Sequence, residues 1–181
     1  MTFKELYSRL PLWKQISLSQ CYQNPIHHPE IWIDKHLEIV FNNVDNFFGD
    51  NIDLKICAIF HDIGKDDCWQ KSIVKTSEAK WSISPSEYIL KLSNIGHENR
   101  TKHYIDEWKH LYDDLDINWD MVYEVCKEHM RAHMYTDNRM SNRNKRIQFE
   151  SLDYFNEIIQ FSKCDSFNPL KTNNYESKEI V

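Results

Sequence analysis

The sequence predicts an all-α fold, a single helical bundle of about six or seven helices. Three observations point there. Apolar residues recur at spacings near 3.6 through most of the chain. Only three Gly and five Pro occur in 181 residues, too few for the turns of a sandwich or barrel. Alternating apolar and polar runs are almost absent, so strands are not expected. The length suggests one domain, and 41% hydrophobic residues suffice for a sizeable core.

The elements follow in order. A short helix is expected over Thr2–Leu10 and another after Pro11. Residues 24–30, Asn-Pro-Ile-His-His-Pro-Glu, read as a turn. A long helix then runs from about Glu30 to Phe48 on the stripe Ile33, Leu37, Val40, Phe41, Val44, Phe47 and Phe48, and Gly49-Asp50-Asn51 ends it. The helix from about Asp53 is apolar nearly all round except Lys55, the pattern of a central, buried element. Gly64 is its expected stop. Residues 66–83 are polar and aperiodic. Ser84 reads as the cap of a short helix with Pro85 in its first turn. Gly96 precedes a helix reaching about Tyr112, and another covers about 118–135. Residues 136–147 form a polar, basic segment, and a last helix spans about Gln148–Asp165. The tail after Leu170 is polar and expected to fray.

Composition excludes several classes of function. A net charge of −6 argues against tight nonspecific or stable duplex DNA binding, although a local basic patch could still hold phosphates. The five Cys are scattered, odd in number and without a CxxC pair, which argues against a disulfide framework or a thiolate zinc site and for a reducing compartment. No apolar run approaches a membrane span, and the N-terminus lacks the apolar core of a signal peptide. The expectation is a soluble, cytoplasmic protein with no membrane partner. Its oligomeric state is not legible.

The most informative feature is His61-Asp62, at the end of the apolar run Leu54–Phe60. Two ligand-type side chains at the end of a core segment need a partner, because burying them unpaired costs several kcal/mol. Other helices offer more. His36 lies on the stripe of Ile33 and Val40, where a lone His reads more simply as a satisfied core histidine. His97 shares a face with Tyr104, Trp108 and Leu111. His129 and His133 share a face with Trp119, Val122 and Cys126. Asp165 continues Phe155, Ile158 and Ser162, and a core-facing Asp is seldom left unpaired. Each residue alone is weak. Together they place five or six ligand-type groups on inward faces of five helices, and a purely structural account needs a separate partner for each.

Neutral imidazole with carboxylate suits Mn²⁺, Ni²⁺, Co²⁺, Fe²⁺ or Zn²⁺, with Mg²⁺ a further candidate. Asp62 has two oxygens and can bridge two ions. Two Asp and neutral His would leave two dications with a surplus of positive charge, suited to a phosphate and an activated water. Lys65, three residues past Asp62, could reach that phosphate; the plainer reading is an exposed Lys. Arg131, Arg139, Arg143, Lys145 and Arg146 cluster in sequence near His133. For most of them a solvated loop is the simpler reading, with one or two left to clamp phosphate.

These residues resemble those of the HD-domain metal-dependent phosphohydrolases. His36, His61-Asp62 and Asp165 match the H…HD…D signature. The fuller string His61-Asp62-Ile63-Gly64-Lys65, Gly96-His97-Glu98, His129-Met130 and Asp165 is similar to the HD domain of some bacterial tRNA nucleotidyltransferases and of polynucleotide kinase fusions. His28-Pro29-Glu30 looks like the segment that opens that domain. The resemblance covers about residues 24–166, leaving residues 1–23 as a helical extension and 167–181 as a flexible tail.

The resemblance implies a phosphodiesterase or phosphatase acting on nucleotides or RNA ends, 2′,3′-cyclic phosphates included. It implies two divalent ions. His36, His61, Asp62 and Asp165 would hold the first, and Asp62, His97 and His129 the second. Asp62 and Lys65 would be the catalytic pair, with His28, His133, Arg143 and Arg146 as substrate-binding candidates. The alternatives are a nucleoside triphosphate or signalling-nucleotide hydrolase and a non-catalytic, metal-containing nucleotide-binding module. Departures bear on the substrate. No nucleotidyltransferase domain precedes this one, so CCA addition is not expected. The segment between Lys65 and Gly96 is long. Lys65 and Asp66 stand where the deoxynucleotidase branch carries a glutamate, which argues against 5′-nucleotidase activity.

Overall fold

Eight α-helices and one β-hairpin make up the described residues, which in this computed structural model are 1–24, 28–68, 70–75, 88–93 and 96–170. The chain runs α1 (Phe3–Tyr7), α2 (Leu12–Gln20), α3 (Ile33–Phe48), α4 (Ile52–Phe60), β1 (Gln70–Lys75), β2 (Tyr88–Ser93), α5 (His97–Trp108), a 3-10 turn (Lys109–Tyr112), α6 (Trp119–Thr136), α7 (Arg143–Glu150) and α8 (Phe155–Ser166). The helical fold class is the one expected. None of the described helices is long and apolar enough to cross a membrane.

Local chemistry sets the helix ends. Thr2 and Glu5 form a reciprocal capping box on α1. The side chains of Asn51, Asn118 and Asn142 each accept a backbone N–H of the first turn of α4, α6 and α7. Gly49 closes α3 at φ 63°, a backbone region that favours glycine. Helix α4 is the buried centre: every residue from Leu54 to Phe60 is buried. The one charge in that buried run, Lys55, is 2% exposed and its Nζ lies 2.6 Å from Asp45 and 2.8 Å from Asp50. Helices α3, α5, α6 and α8 pack around α4, and α6 also lies along α8. Leu6, Leu10 and Leu18 belong to the same core as Ile59 and Phe161, so the N-terminal helices share it.

Four local expectations are corrected. Helix α3 begins at Ile33, not Glu30, because Ile31 sits at φ 71° and breaks helical geometry. The backbone N–H of Gln23 donates to the Ile31 carbonyl (2.8 Å), and Tyr22 bridges to Trp32. The second correction concerns residues 66–95, where strands were not expected. Gln70–Lys75 pairs antiparallel with Tyr88–Ser93, with Ile73 opposite Leu90. Both runs contain β-branched residues, Ile73-Val74 and Ile89, whose extended preference is too local to register as periodicity. The helix expected after Ser84 therefore does not extend over Tyr88–Ser93, and Ser84-Pro85-Ser86-Glu87 lie outside the described residues. Third, the last helix is two: α7 starts within the basic segment, and residues 151–154 turn the chain before α8. Fourth, α4 ends at Phe60, and Gly64 serves close approach rather than a left-handed stop. A Cβ there would lie 2.6 Å from Arg100 Cβ and 2.8 Å from the His97 carbonyl oxygen. The expected fraying after Leu170 falls on residues outside those described.

Candidate metal centre

Five elements bring six side chains to one place. His36 lies on the buried stripe of α3. His61 and Asp62 occupy the turn that leaves α4, where Gly64 lets the chain pass close under α5. His97 is the first residue of α5, after Gly96 at φ 86°. His129 comes from the middle of α6 and Asp165 from the last turn of α8. Asn43 anchors that turn by donating to the carbonyls of Cys164 and Phe167, at 2.8 and 2.6 Å.

The six form two groups that share Asp62. Around the first, His36 Nε2 lies 3.3 Å from His61 Nε2, 2.9 Å from Asp165 Oδ1 and 3.4 Å from Asp62 Oδ2. His61 Nε2 lies 3.3 Å from Asp62 Oδ2. Around the second, Asp62 Oδ1 lies 3.0 Å from His97 Nε2 and 3.6 Å from His129 Nε2, with the two imidazole nitrogens 3.2 Å apart. His36, His61 and Asp165 have the spacing of a set that can hold one ion, and so do Asp62, His97 and His129. The sequence-expected metal residues His36, His61, Asp62, His97, His129 and Asp165 are thus all brought together.

Three observations fit a cation. Asp62 Oδ1 is buried with no hydrogen-bond partner, a costly state for a carboxylate oxygen facing only imidazoles. The outer nitrogens of two ligands are engaged with carbonyls: His61 Nδ1 donates to Ala58 O (3.2 Å) and His129 Nδ1 to Cys126 O (2.6 Å). A carbonyl only accepts, so each ring carries a proton on Nδ1, which leaves Nε2, on the side of the cluster, as the nitrogen a metal would take. Third, neutral imidazole with carboxylate is a donor set for divalent transition ions.

The electrostatics describe what holds the cluster without a cation. Burial works against charge on His61, but Asp62 and Asp165 outweigh it and push the imidazole up to about 10. His36 is raised in the same way, Asp165 and Glu30 prevailing over burial. Burial alone would raise Asp62 and Asp165, yet both lie well below the ordinary carboxylate range. Lys65 and His61 hold Asp62 there; His133 and His61 hold Asp165. Burial lowers His129, only partly opposed by Asp62.

Among the other expected site residues, Lys65 is at the centre: its Nζ lies 2.6 Å from Asp62 Oδ2 and donates to Gln23 Oε1 at 2.7 Å. It is buried, not an ordinary surface lysine. His28 packs edge-on against His36, ring centroids 4.8 Å apart, and its Nδ1 donates to Glu30 Oε1 at 3.0 Å. Burial pulls His28 down to about 4, so it is neutral. His133 reaches Asp165 Oδ2 at 2.6 Å. Arg143 and Arg146 are exposed on α7. Arg146 pairs with Glu150 (3.0 Å) and lies over the Tyr135 ring, and among the described residues neither arginine bonds to a cluster member.

Three contributors escaped the sequence reading. In the sequence Glu30 stands out only as part of His28-Pro29-Glu30; its Oε1 lies 2.9 Å from His36 Nδ1, off the line of a true hydrogen bond. Gln23 supports Lys65. Lys14 is fully buried, its Nζ 2.6 Å from Asp66 Oδ1 and 3.9 Å above the Tyr104 ring, which ties α2 to the turn carrying the His-Asp pair. The usable signal for Lys14 was its place four residues before Leu18, on the apolar face of α2. None existed for Gln23, which stands in irregular chain. All five Cys are unpaired thiols and none belongs to a metal group.

Comparison with protein-family models, with curated proteins and with solved structures found no match to this chain.

Proposed function

We propose that this protein is a metal-dependent phosphohydrolase of the HD-domain kind, a phosphodiesterase or phosphatase acting on nucleotides or RNA ends, 2′,3′-cyclic phosphates foremost. The observation that carries the reading is Asp62, which turns Oδ2 to one imidazole group and Oδ1 to another, with the Lys65 ammonium 2.6 Å from Oδ2. A carboxylate so placed suits a bridge between two ions, and an ammonium beside it suits a phosphate oxygen. The likeness of His61-Asp62-Ile63-Gly64-Lys65 and Gly96-His97-Glu98 to that family supports the same assignment.

Divalent ions bound here supply Lewis acidity to the phosphoryl oxygens and lower the pKa of water. The rest falls to the chain's own residues. His36, His61 and Asp165 would hold one ion, His97 and His129 the other, and Asp62 would serve both. Lys65 offsets charge that develops on the phosphate in the transition state, held in place by Gln23. The three glycines are dispersed, so no Gly-rich loop cradles phosphate. Five unpaired thiols suit a reducing, cytoplasmic setting.

Hydrolysis of 2′,3′-cyclic AMP, a chromogenic phosphodiester and dATP, each with Mn²⁺ or Ni²⁺ and with chelator, tests the proposal. Diester cleavage that chelator abolishes is the expected result. Turnover of dATP without diester cleavage transfers the site to nucleoside triphosphates. No turnover by the fully loaded protein makes it a binding module.

A further inference from the structure

The turn before α3 carries a buried carboxylate that the proposed reaction does not use. Glu30 has a side chain only 1% exposed. Its Oε1 lies between two imidazoles, 2.9 Å from His36 Nδ1 and 3.0 Å from His28 Nδ1. Its other oxygen accepts from the Asn168 side-chain amide, two residues past the end of α8. A buried carboxylate with both oxygens engaged is held in one orientation. That orientation is set by the Ile31 turn and by the segment following Asp165.

We infer that Glu30 is the positioning residue of the first ion, acting through His36. His36 Nε2 faces His61, Asp62 and Asp165, and only its Nδ1 faces outward, toward Glu30. A buried carboxylate 2.9 Å behind a ligating imidazole, even off the line of a hydrogen bond, favours the proton on Nδ1 by its charge and makes the ligating Nε2 more basic. His61 and His129 have backbone carbonyls in that position. His97 Nδ1 faces the partly exposed Glu98 at 3.5 Å, whereas the carboxylate behind His36 is buried and pinned by Asn168. The first ion would thereby be coupled to the loop before α3 and to the exit from α8. The same oxygen also orients His28. The inference rests on the two-ion reading of the cluster but not on the nature of the substrate.

The test is a calorimetric titration of the metal-free protein with Mn²⁺ or Co²⁺, the second event being assigned by its loss in His97→Ala. Glu30→Met, which removes both acceptors, should weaken the first ion by about 10- to 100-fold and leave the second within about twofold. Glu30→Gln, which keeps a neutral acceptor, should fall between parent and Glu30→Met. Asn168→Ala should weaken the first ion in the same selective way, by a smaller factor. If Glu30→Met fails to fold, Glu30→Gln and Asn168→Ala carry the same selective expectation. A first-ion affinity within about twofold of the parent in these variants overturns the inference, and so does an equal loss at both sites, the mark of a merely structural role. A parent that binds metal but hydrolyses nothing refutes the proposed activity and leaves this inference standing. A parent that binds no metal refutes both.

Discussion

His133 Nε2 lies 2.6 Å from Asp165 Oδ2, while the other oxygen of the same carboxylate, Oδ1, lies 2.9 Å from His36 Nε2. The Ser162 and Ser166 hydroxyls stand 3.4 and 3.1 Å from His133 Nδ1. His133 is thus engaged with the oxygen of Asp165 that His36 leaves free, and this contact predicts a supporting role toward the first ion in place of the expected substrate contact. His133→Ala should weaken the first ion by about tenfold and leave KM at saturating metal unchanged. Unchanged metal affinity with a raised KM would return His133 to the substrate.

The shared carboxylate and a single-site ligand should separate cleanly. Asp62→Ala should abolish binding of both ions, because its two oxygens serve the two groups. His97→Ala should deplete only the second ion. Metal content after dialysis, read by elemental analysis, decides between them, and two full equivalents in His97→Ala would remove that residue from the ligand set.

Lys65→Ala should lower kcat on the order of 10²-fold with both metals still bound, if its ammonium acts on charge formed only in the transition state. A change confined to KM would instead make Lys65 a ground-state anchor. Metal content of the same preparation must match the parent, since Lys65 Nζ also contacts Asp62.

Gly64→Ala should destabilise the fold by about 1–3 kcal/mol, as overpacking does. The added methyl would meet Arg100 Cβ at 2.6 Å and the His97 carbonyl oxygen at 2.8 Å, so the start of α5 must move. His97 sits there, and second-ion affinity should fall along with the melting temperature. A variant with parental melting and parental affinity would show that α5 yields freely.

Metal stabilisation should grow with pH. In the metal-free protein His61 is raised from 6.5 to about 10 by Asp62 and Asp165 prevailing over burial. The sign follows: that ion-paired contribution to stability is complete below about 6.5 and is lost as pH rises through 10. Bound metal needs neutral imidazole, so the Nε2 proton of His61 must leave before an ion enters, and apparent affinity should rise about tenfold per pH unit in that window for one displaced proton. The gap in Tm between Mn²⁺-loaded and chelated protein should therefore widen from pH 6 to pH 8.5. A gap that is constant or shrinking would contradict the ligand role of His61.

Much of the site was legible because helical periodicity converts sequence spacing into direction. His36, His129 and Asp165 each fall on an apolar stripe, and a polar group there points inward whatever the detailed packing. The apolar run ending in His61-Asp62 likewise marked α4 as central. The class of fold and the six ligand-type residues were determined at that level.

Tertiary structure decided what periodicity cannot carry. Residues in turns have no repeating direction, so Glu30 and Gln23 became partners of His36 and Lys65 only once the 21–33 loop closed on itself through Gln23 and Ile31. Lys65 was separated from an ordinary surface lysine by burial beside Asp62, a property of the assembled core. The basic run was divided differently from its sequence appearance: Asn142 starts a helix there, and Arg146 is committed to Glu150 and Tyr135. The hairpin at Gln70–Lys75 and Tyr88–Ser93 depends on pairing between residues up to 23 positions apart, since Gln70 meets Ser93, and no local pattern encodes such a contact. Local chemistry determined which residues face inward; only the closing of the chain over long sequence separations determined which of them meet.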